Sequence, residues 1–482
     1  MARQTTLHAL SPWILATSLA ASVLVLVVSA TPSLVTANPH KDKNKKTTQS
    51  APLHKTSIDD KSAKSSGQPA SVAKSTNTSP FASVAKVDGL FQPTVNEFMK
   101  EGKITEGVAA FTEFVKANPD DDNALFALGF LQVMEAANNA CHKFYKYQPR
   151  DGTTTFAQIP IISNDKPEEI DYAKFRDIFI ELHDQLQAAD ETLKKVDDPE
   201  VKLPLNLSVI RLEYDGDPKA HKLENIFYIY RTISGDDQLT NKKDGLIVHF
   251  DYGDVYWLRG YINFFMGTSD CLLAYDIEEL FEAYSGGFFK NALSKGVVEP
   301  EKGSELDNWR MYRSFLALVY LVGNTHELND AKYMQSAHEH FLTTLRCSHE
   351  MWNLYRDETD NDREWIPALD QTSVVSEQTF DREAIETWQE GLEEIRLTLE
   401  GERIVPSLWT NTRTRDAHKE HLGLNLKTIF TEPEDINIIL WIDGYIPEKF
   451  VKKGYFPNVD VFDRVNRAFG RGGLIGNIFW VN

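Results

Sequence analysis

From Phe91 onward the apolar residues recur at steps of three and four, the spacing that gathers them on one face of an α-helix. Thr105 reads as the cap of a helix whose apolar face holds Val108, Phe111 and Val115. Asn118 and Pro119 read as its end, because proline cannot continue a helix. Asp122 opens a second helix with Leu125, Leu128 and Leu131 in line. Residues 172–196 place Phe175, Phe179, Leu182, Leu186 and Leu193 on one face. Residues 254–284 and 309–322 are apolar around most of the circumference, which predicts central helices. Residues 330–355 align Met334, Phe341, Leu345 and Trp352, and residues 381–400 align Ile385, Trp388, Leu392 and Leu399, with Gly401 as the stop. Two stretches, 205–230 and 437–442, are β-branched or aromatic and fit either short strands or buried helix. The expected fold is mainly α: a helix-hairpin array with packed central helices and a minor β component.

The first 86 residues follow another pattern. A single Arg precedes residues 13–30, which are almost wholly apolar, and small residues end at Ala30 and at Ala37. A charged start, an apolar run and a small-x-small site predict a secretory signal over 1–37. The alternative is a membrane anchor formed by 13–30, but Lys41, Lys43, Lys45 and Lys46 follow the run, and basic flanks stay on the cytoplasmic side. The expected location is therefore outside the cytoplasm, in the periplasm or beyond. Residues 38–86 carry nine Lys against three Asp and almost no aromatics, too little apolar surface to offset the entropy of ordering. This basic tether fits a solvated spacer, contact with an anionic envelope surface, or contact with the chain's own acidic body. Residues 87–150 form the first folded segment and 151–482 the helical body.

Composition changes the picture in one respect. The net charge of −20 over 482 residues averages a signal of +1, a tether of +6 and a remainder of −27. That remainder excludes nucleic acid as the partner of the body, since phosphate binding needs a basic surface. Cys141, Cys271 and Cys347 are odd in number and widely spaced, which sets no disulfide framework.

Within 88–138, Gly102 falls where two paired helices turn, Gly107 and Ala110 supply small side chains where they would cross, and Pro119 closes the unit. The next unit, NALFALG, carries Leu125, Leu128 and Gly129 in its first helix. This segment resembles a tetratricopeptide repeat of 34 residues and the first helix of the next one. The Leu-Gly pair has no counterpart one period earlier, where Thr94 and Val95 stand, and no third copy follows. The resemblance implies helix hairpins and a protein or peptide partner bound on a concave face. GDVYWLRGY (253–261), DREWIP (362–367) and TIFTEP (428–433) are similar to segments of exported bacterial proteins of unassigned function, and imply no activity.

Two places carry candidate chemistry. EYDGDPKAHKLE (213–224) sets Glu213, Asp215, Asp217 and Glu224 at positions one, three, five and twelve of a calcium loop, with apolar Ala220 at eight. Pro218 stands at the sixth position, where a left-handed residue is required, so the chain cannot follow the usual path. The loop is thus either an acidic surface turn or an altered calcium site that braces structure. In the most apolar stretch of the body, Arg259, Asn263 and Asp270 recur at steps of four and seven on one helix face. Polar groups there must be paired, either by an internal network or by a ligand whose anionic group Arg259 grips while aromatic residues wall the cleft.

His338, His340 and His349 share one helix without the three- or four-residue step of a metal pair, and His340 points away from the other two. GRGGLIG (470–476) lacks the strand-to-helix context of a phosphate loop. No catalytic residue is assigned. The leading expectation is an exported helical-repeat scaffold for a protein or peptide. The second is a cation-braced binder of a small ligand, or an enzyme, with its pocket around Arg259 and Asp270.

Overall fold

Twelve α-helices can be followed along the residues that the computed structural model describes, namely 91–150, 162–217, 219–226, 228, 246–292, 304–369, 371–374, 380–406 and 419–468. The signal, the tether and GRGGLIG lie outside them. The fold is mainly α. The first helices are α1 (Gln92–Glu101), α2 (Ile104–Ala117), α3 (Asp122–Tyr147) and α4 (Tyr172–Leu193). The central and later ones are α5 (Tyr252–Ala274), α6 (Glu278–Tyr284), α7 (Ser304–Gly323), α8 (Ala331–Asp357) and α9 (Arg382–Leu399). Three short ones close the chain: α10 (Leu426–Thr431), α11 (Ile438–Asp443) and α12 (Val459–Ala468).

Aspartates start the long helices. Asp121, Asp171, Asp330 and Asp381 each accept a bond from a first-turn backbone N–H, which satisfies a donor the helix itself cannot. Asp251 and Asp254 form a reciprocal capping box at the head of α5. Thr105 does not cap α2, which begins at Ile104, and Lys103 precedes it without a side-chain cap. The expected single helix over 254–284 breaks at Tyr275, and α6 follows as a separate element.

Among the described residues the β component is three antiparallel pairs: β1 (Leu203–Asn206) with β2 (Ile247–Phe250), β3 (Thr325–His326) with β5 (Ile436–Asn437), and β4 (His421–Leu424) with β6 (Val451–Gly454). The 437–442 run is therefore both: a strand end and then α11.

Two apolar cores share α4 and α5. The first gathers Phe91, Met99, Phe111, Leu125 and Leu131 of the N-terminal helices against Leu193, β1, β2 and the first half of α5. The second gathers Phe175, Leu272, Phe341, Trp352, Trp388 and Phe430. The apolar sides of α1–α3 are thus turned into the first core. α5 is central, as its composition predicts. α7 is not: Ala317 and Leu321 are buried, but Tyr312, Phe315 and Val319 are half or more exposed. Among the described side chains of α7, from Tyr312 onward, only one face is covered, so apolar content overstated the burial of this part.

α5 and α8 run antiparallel and very close. A Cβ on Gly253 would lie 2.4 Å from Tyr355 Cε1, and one on Gly267 would lie 2.9 Å from Phe341 Cε1. Only glycine leaves room for those rings. α4 packs along the other side of α5, pairing Asp190 with Arg259 and His183 with Asp270, so it too runs antiparallel to α5.

Candidate functional site

The polar residues of α4, α5 and α8 meet along one seam. Each helix contributes residues at steps of three, four and seven, which keep to one face. His183, Asp190 and Lys194 come from α4, Tyr256, Arg259, Asn263 and Asp270 from α5, and His340, Thr343 and Cys347 from α8. Because α4 and α8 both run against α5, the low numbers of α4 and α8 meet the high numbers of α5. Asp270 thus lies at the histidine end of the seam and Arg259 at the other. Eleven residues of helix separate them by about 16 Å at 1.5 Å per residue.

At one end, Arg259 donates from Nε to Asp190 Oδ1 at 2.9 Å, and Lys194 Nζ stands 2.9 Å from Asp190 Oδ2. Asp190 is buried, so its charge must be balanced, and two cations do so. The terminal nitrogens of Arg259 make no hydrogen bond among the described residues. They adjoin a cleft of about 340 Å³ lined by Lys194, Tyr256, Arg259, Thr343, Arg346, Cys347 and Glu350. The Arg259 guanidinium lies 5.7 Å from the centre of the Tyr256 ring. Burial pushes the Cys347 thiol up to about 11, so it stays protonated and is a poor nucleophile.

At the other end, buried Asp270 faces two imidazoles: His183 Nε2 is 3.4 Å from Oδ1 and His340 Nε2 is 3.8 Å from Oδ2. Asn263 sits between the two ends. Its Nδ2 donates to the Arg259 carbonyl at 2.9 Å, and its Oδ1 lies 2.9 Å from His340 Nδ1. Burial and the neighbouring His183 hold the His340 imidazole below its ordinary value. For His183, burial works downward, but the Asp270 carboxylate beside it outweighs burial and pushes it up.

The three residues singled out from the sequence therefore occupy one seam, but not one pocket. Arg259 reaches the cleft, Asn263 links the ends, and Asp270 faces the histidines. The aromatic wall also differs. Trp257 stacks on Phe250 and meets Trp365 in the first core, and Tyr256 lines the cleft instead. Sequence reasoning missed Asp190, Lys194, Arg346 and His183, and set His340 aside. One signal was present: Asp270 in an apolar helix demands a partner, and histidine is a natural one.

The acidic loop is partly assembled. Carboxylate oxygens of Glu213, Asp215 and Glu224 lie within 4.8 Å of one another. Asp217 turns to its own backbone, accepting from Lys219 N at 3.0 Å. Glu224 is fully buried, with Oε2 accepting from Arg211 Nε at 2.7 Å and from His221 N at 2.9 Å, while Oε1 has no hydrogen-bond partner. Asp215 also accepts from Asp217 N and Glu213 from Gly216 N, so the turn is held by its own amides. Pro218 lies outside the described residues.

Of the other histidines on α8, His338 is buried against Phe430 with Nε2 2.8 Å from the Leu399 carbonyl, and His349 is exposed. The three cysteines are unpaired. No helix among the described residues is long and apolar enough to cross a membrane. Comparison with protein-family models, with curated proteins and with solved structures finds no match for this chain.

Proposed function

We propose that the chain binds a small anionic ligand in the cleft at Arg259, and that its acidic loop takes calcium as a structural brace. One observation carries the first part: Lys194, Arg259 and Arg346 converge on one cleft in a body of net charge −27, with Tyr256 and Thr343 beside them. Its volume, about 340 Å³, suits a small molecule. Asp190 and the cleft-lining Glu350 neutralise part of this charge, leaving a net positive cleft, and Asp190 holds Arg259 only through Nε. That arrangement leaves the paired terminal nitrogens free for a carboxylate or phosphate group, which guanidinium binds bidentately. The apolar faces a peptide-binding array would offer a partner are turned into the first core, so this reading is preferred to the scaffold.

The test uses the full chain and a panel of phosphate, sulfate and small dicarboxylates, read by calorimetry. Arg346→Ala is the informative variant because Arg346 is exposed and its removal leaves the buried Asp190 pair intact. We expect about a tenfold loss of affinity, the order of one charge-assisted bond. Equal affinity in the parent and in Arg346→Ala would sink the reading.

The brace rests on the meeting of Glu213, Asp215 and Glu224, with the orphaned Glu224 Oε1 among them. At ten times a millimolar Kd, calcium adds about 1.4 kcal/mol to stability. The expected result is a rise in Tm of about 1–3 °C at 10 mM calcium. The rise should vanish in Asp215→Ala and be absent with magnesium, which resists so irregular a site. A melting curve indifferent to calcium ends this part.

A further inference from the structure

The histidine end of the seam poses a charge problem that the protein alone leaves unsolved. Asp270 is 1 % exposed. A carboxylate that deep must be ionically paired or hydrogen-bonded. Its Oδ2 has no hydrogen-bond partner among the described residues, and neither has the buried His183 Nε2.

Hydrogen bonding fixes which nitrogen of His340 faces the carboxylate as a lone pair. Asn263 Nδ2 points at the Arg259 carbonyl, so the amide oxygen is the atom turned to His340. An amide oxygen only accepts, so His340 Nδ1 carries the proton. The neutral ring then presents an unprotonated Nε2 to Asp270 Oδ2 at 3.8 Å. Two acceptors facing each other in a buried site repel unless a cation lies between them.

The donor set identifies that cation. Two imidazole nitrogens and one carboxylate oxygen, from three different helices, lie with all ligand atoms within 4.8 Å of one another. Metal–ligand bonds near 2.0–2.1 Å place tetrahedral donors about 3.3 Å apart. His183 Nε2 is 3.4 Å from Asp270 Oδ1 and His340 Nε2 is 3.8 Å from Oδ2, so each ring already stands near one carboxylate oxygen, and the three donor atoms, within 4.8 Å of one another, close onto one ion by small side-chain rotations. Imidazole excludes calcium and magnesium, which take oxygen, and favours zinc, ferrous iron and their neighbours. The Asn263 bond to His340 Nδ1 is the outer support that histidine ligands normally have.

We propose that His183, Asp270 and His340 bind a divalent transition-metal ion, with at least one coordination position left for water or an exogenous ligand. The site is independent of the anion cleft, because none of its three donors lines that cleft. His340 was set aside in the sequence because it has no partner at a helical step on α8. Its partners lie on other helices.

The test is a titration of the chelator-stripped full chain with zinc, in competition with a chromophoric chelator, and with cobalt as a spectroscopic probe. The parent should take one equivalent and give the visible band of four- or five-coordinate cobalt. His183→Gln and His340→Gln should each lose at least about a hundredfold in zinc affinity, and Asn263→Ala about tenfold. Far-UV circular dichroism establishes that each variant is folded. Asn263→Ala keeps all three donors and serves if a ligand variant is not. His349→Gln, an exposed histidine on the same helix, should bind as the parent does. Less than one equivalent in the parent would overturn the proposal, as would affinity unchanged in both the His183 and the His340 variants. An Asn263→Ala affinity equal to the parent's would overturn the role of Asn263.

Discussion

Arg211→Ala should destabilise the protein by about 3–5 kcal/mol in urea denaturation at pH 7, the cost of stranding one member of a buried ion pair. Glu224 is fully buried, and Arg211, only 8 % exposed, is the side-chain cation on it. The same arginine ties the loop to the rest of the chain. Its amide donates to the Met99 carbonyl at the end of α1, and its guanidinium lies over the Asp217 carbonyl. Removing it leaves a buried carboxylate without its counter-charge. Replacing both partners with apolar residues, Arg211→Met with Glu224→Leu, should restore most of the loss, because the desolvation penalty goes with the charges. Calcium supplies a second way to tell the pair from the packing. If the loop holds calcium, 10 mM of it should reduce the cost of Arg211→Ala, since the cation replaces the lost charge, and a chelator should restore the full cost. A single variant costing under about 1 kcal/mol in chelator would show that Glu224 is neutralised by something other than Arg211.

What could be read from the sequence divides along a physical line. The long helices α3, α4, α8 and α9 were legible because each pairs an aspartate start with a regular apolar stripe, and both signals are local. The burial of α7 was not, because a sequence shows how apolar a helix is and not how much of it neighbours cover. Tyr312 and Phe315 stay in water although their helix reads as core. The seam was half legible. Asp270 and Asn263 stand out as polar residues in an apolar helix, but nothing along the chain pairs them with His183 or His340. Those partners follow from the antiparallel packing of α4 and α8 on α5, which depends partly on Gly253 and Gly267 admitting large rings. Arg259 was marked for a ligand, and its nearest partner is Asp190, a residue that looks like an ordinary solvated acid on an amphipathic helix.

A second large effect is expected from pH. Where α5, α8 and the loop after α8 meet, Asp251, Asp254, Glu358 and Glu364 crowd together. Burial pushes the Glu358 carboxyl up to about 9, helped by the Asp251 carboxylate beside it, and burial pushes Glu364 up to about 7. Asp254 is raised for the same reason, with Tyr355 donating to it at 2.5 Å. In the unfolded chain these glutamates titrate near their ordinary value, about 4.3. Between that value and 7 the folded state holds two extra protons on Glu358 and Glu364, and between 7 and about 9 it holds one. Stability from these protons is complete at acid pH and lost as pH rises, most steeply below 7. Glu358 is only partly buried, so solvent screening reduces its share of the effect, while Glu364 is 4 % exposed, and the expected fall from pH 5 to 9 is about 3 kcal/mol. His183, itself raised, loses its proton in the same direction, so the difference between parent and variant is the quantity to measure. Glu358→Gln keeps the shape and removes the titration. It should flatten the urea midpoint between pH 7 and 9 and stabilise the protein by about 1–2 kcal/mol at pH 8, where folding the parent must still protonate a carboxyl that is ionised in the unfolded chain. A parent and a variant with parallel pH profiles would mean that Glu358 ionises at its ordinary pH and that Asp251 shares no proton with it.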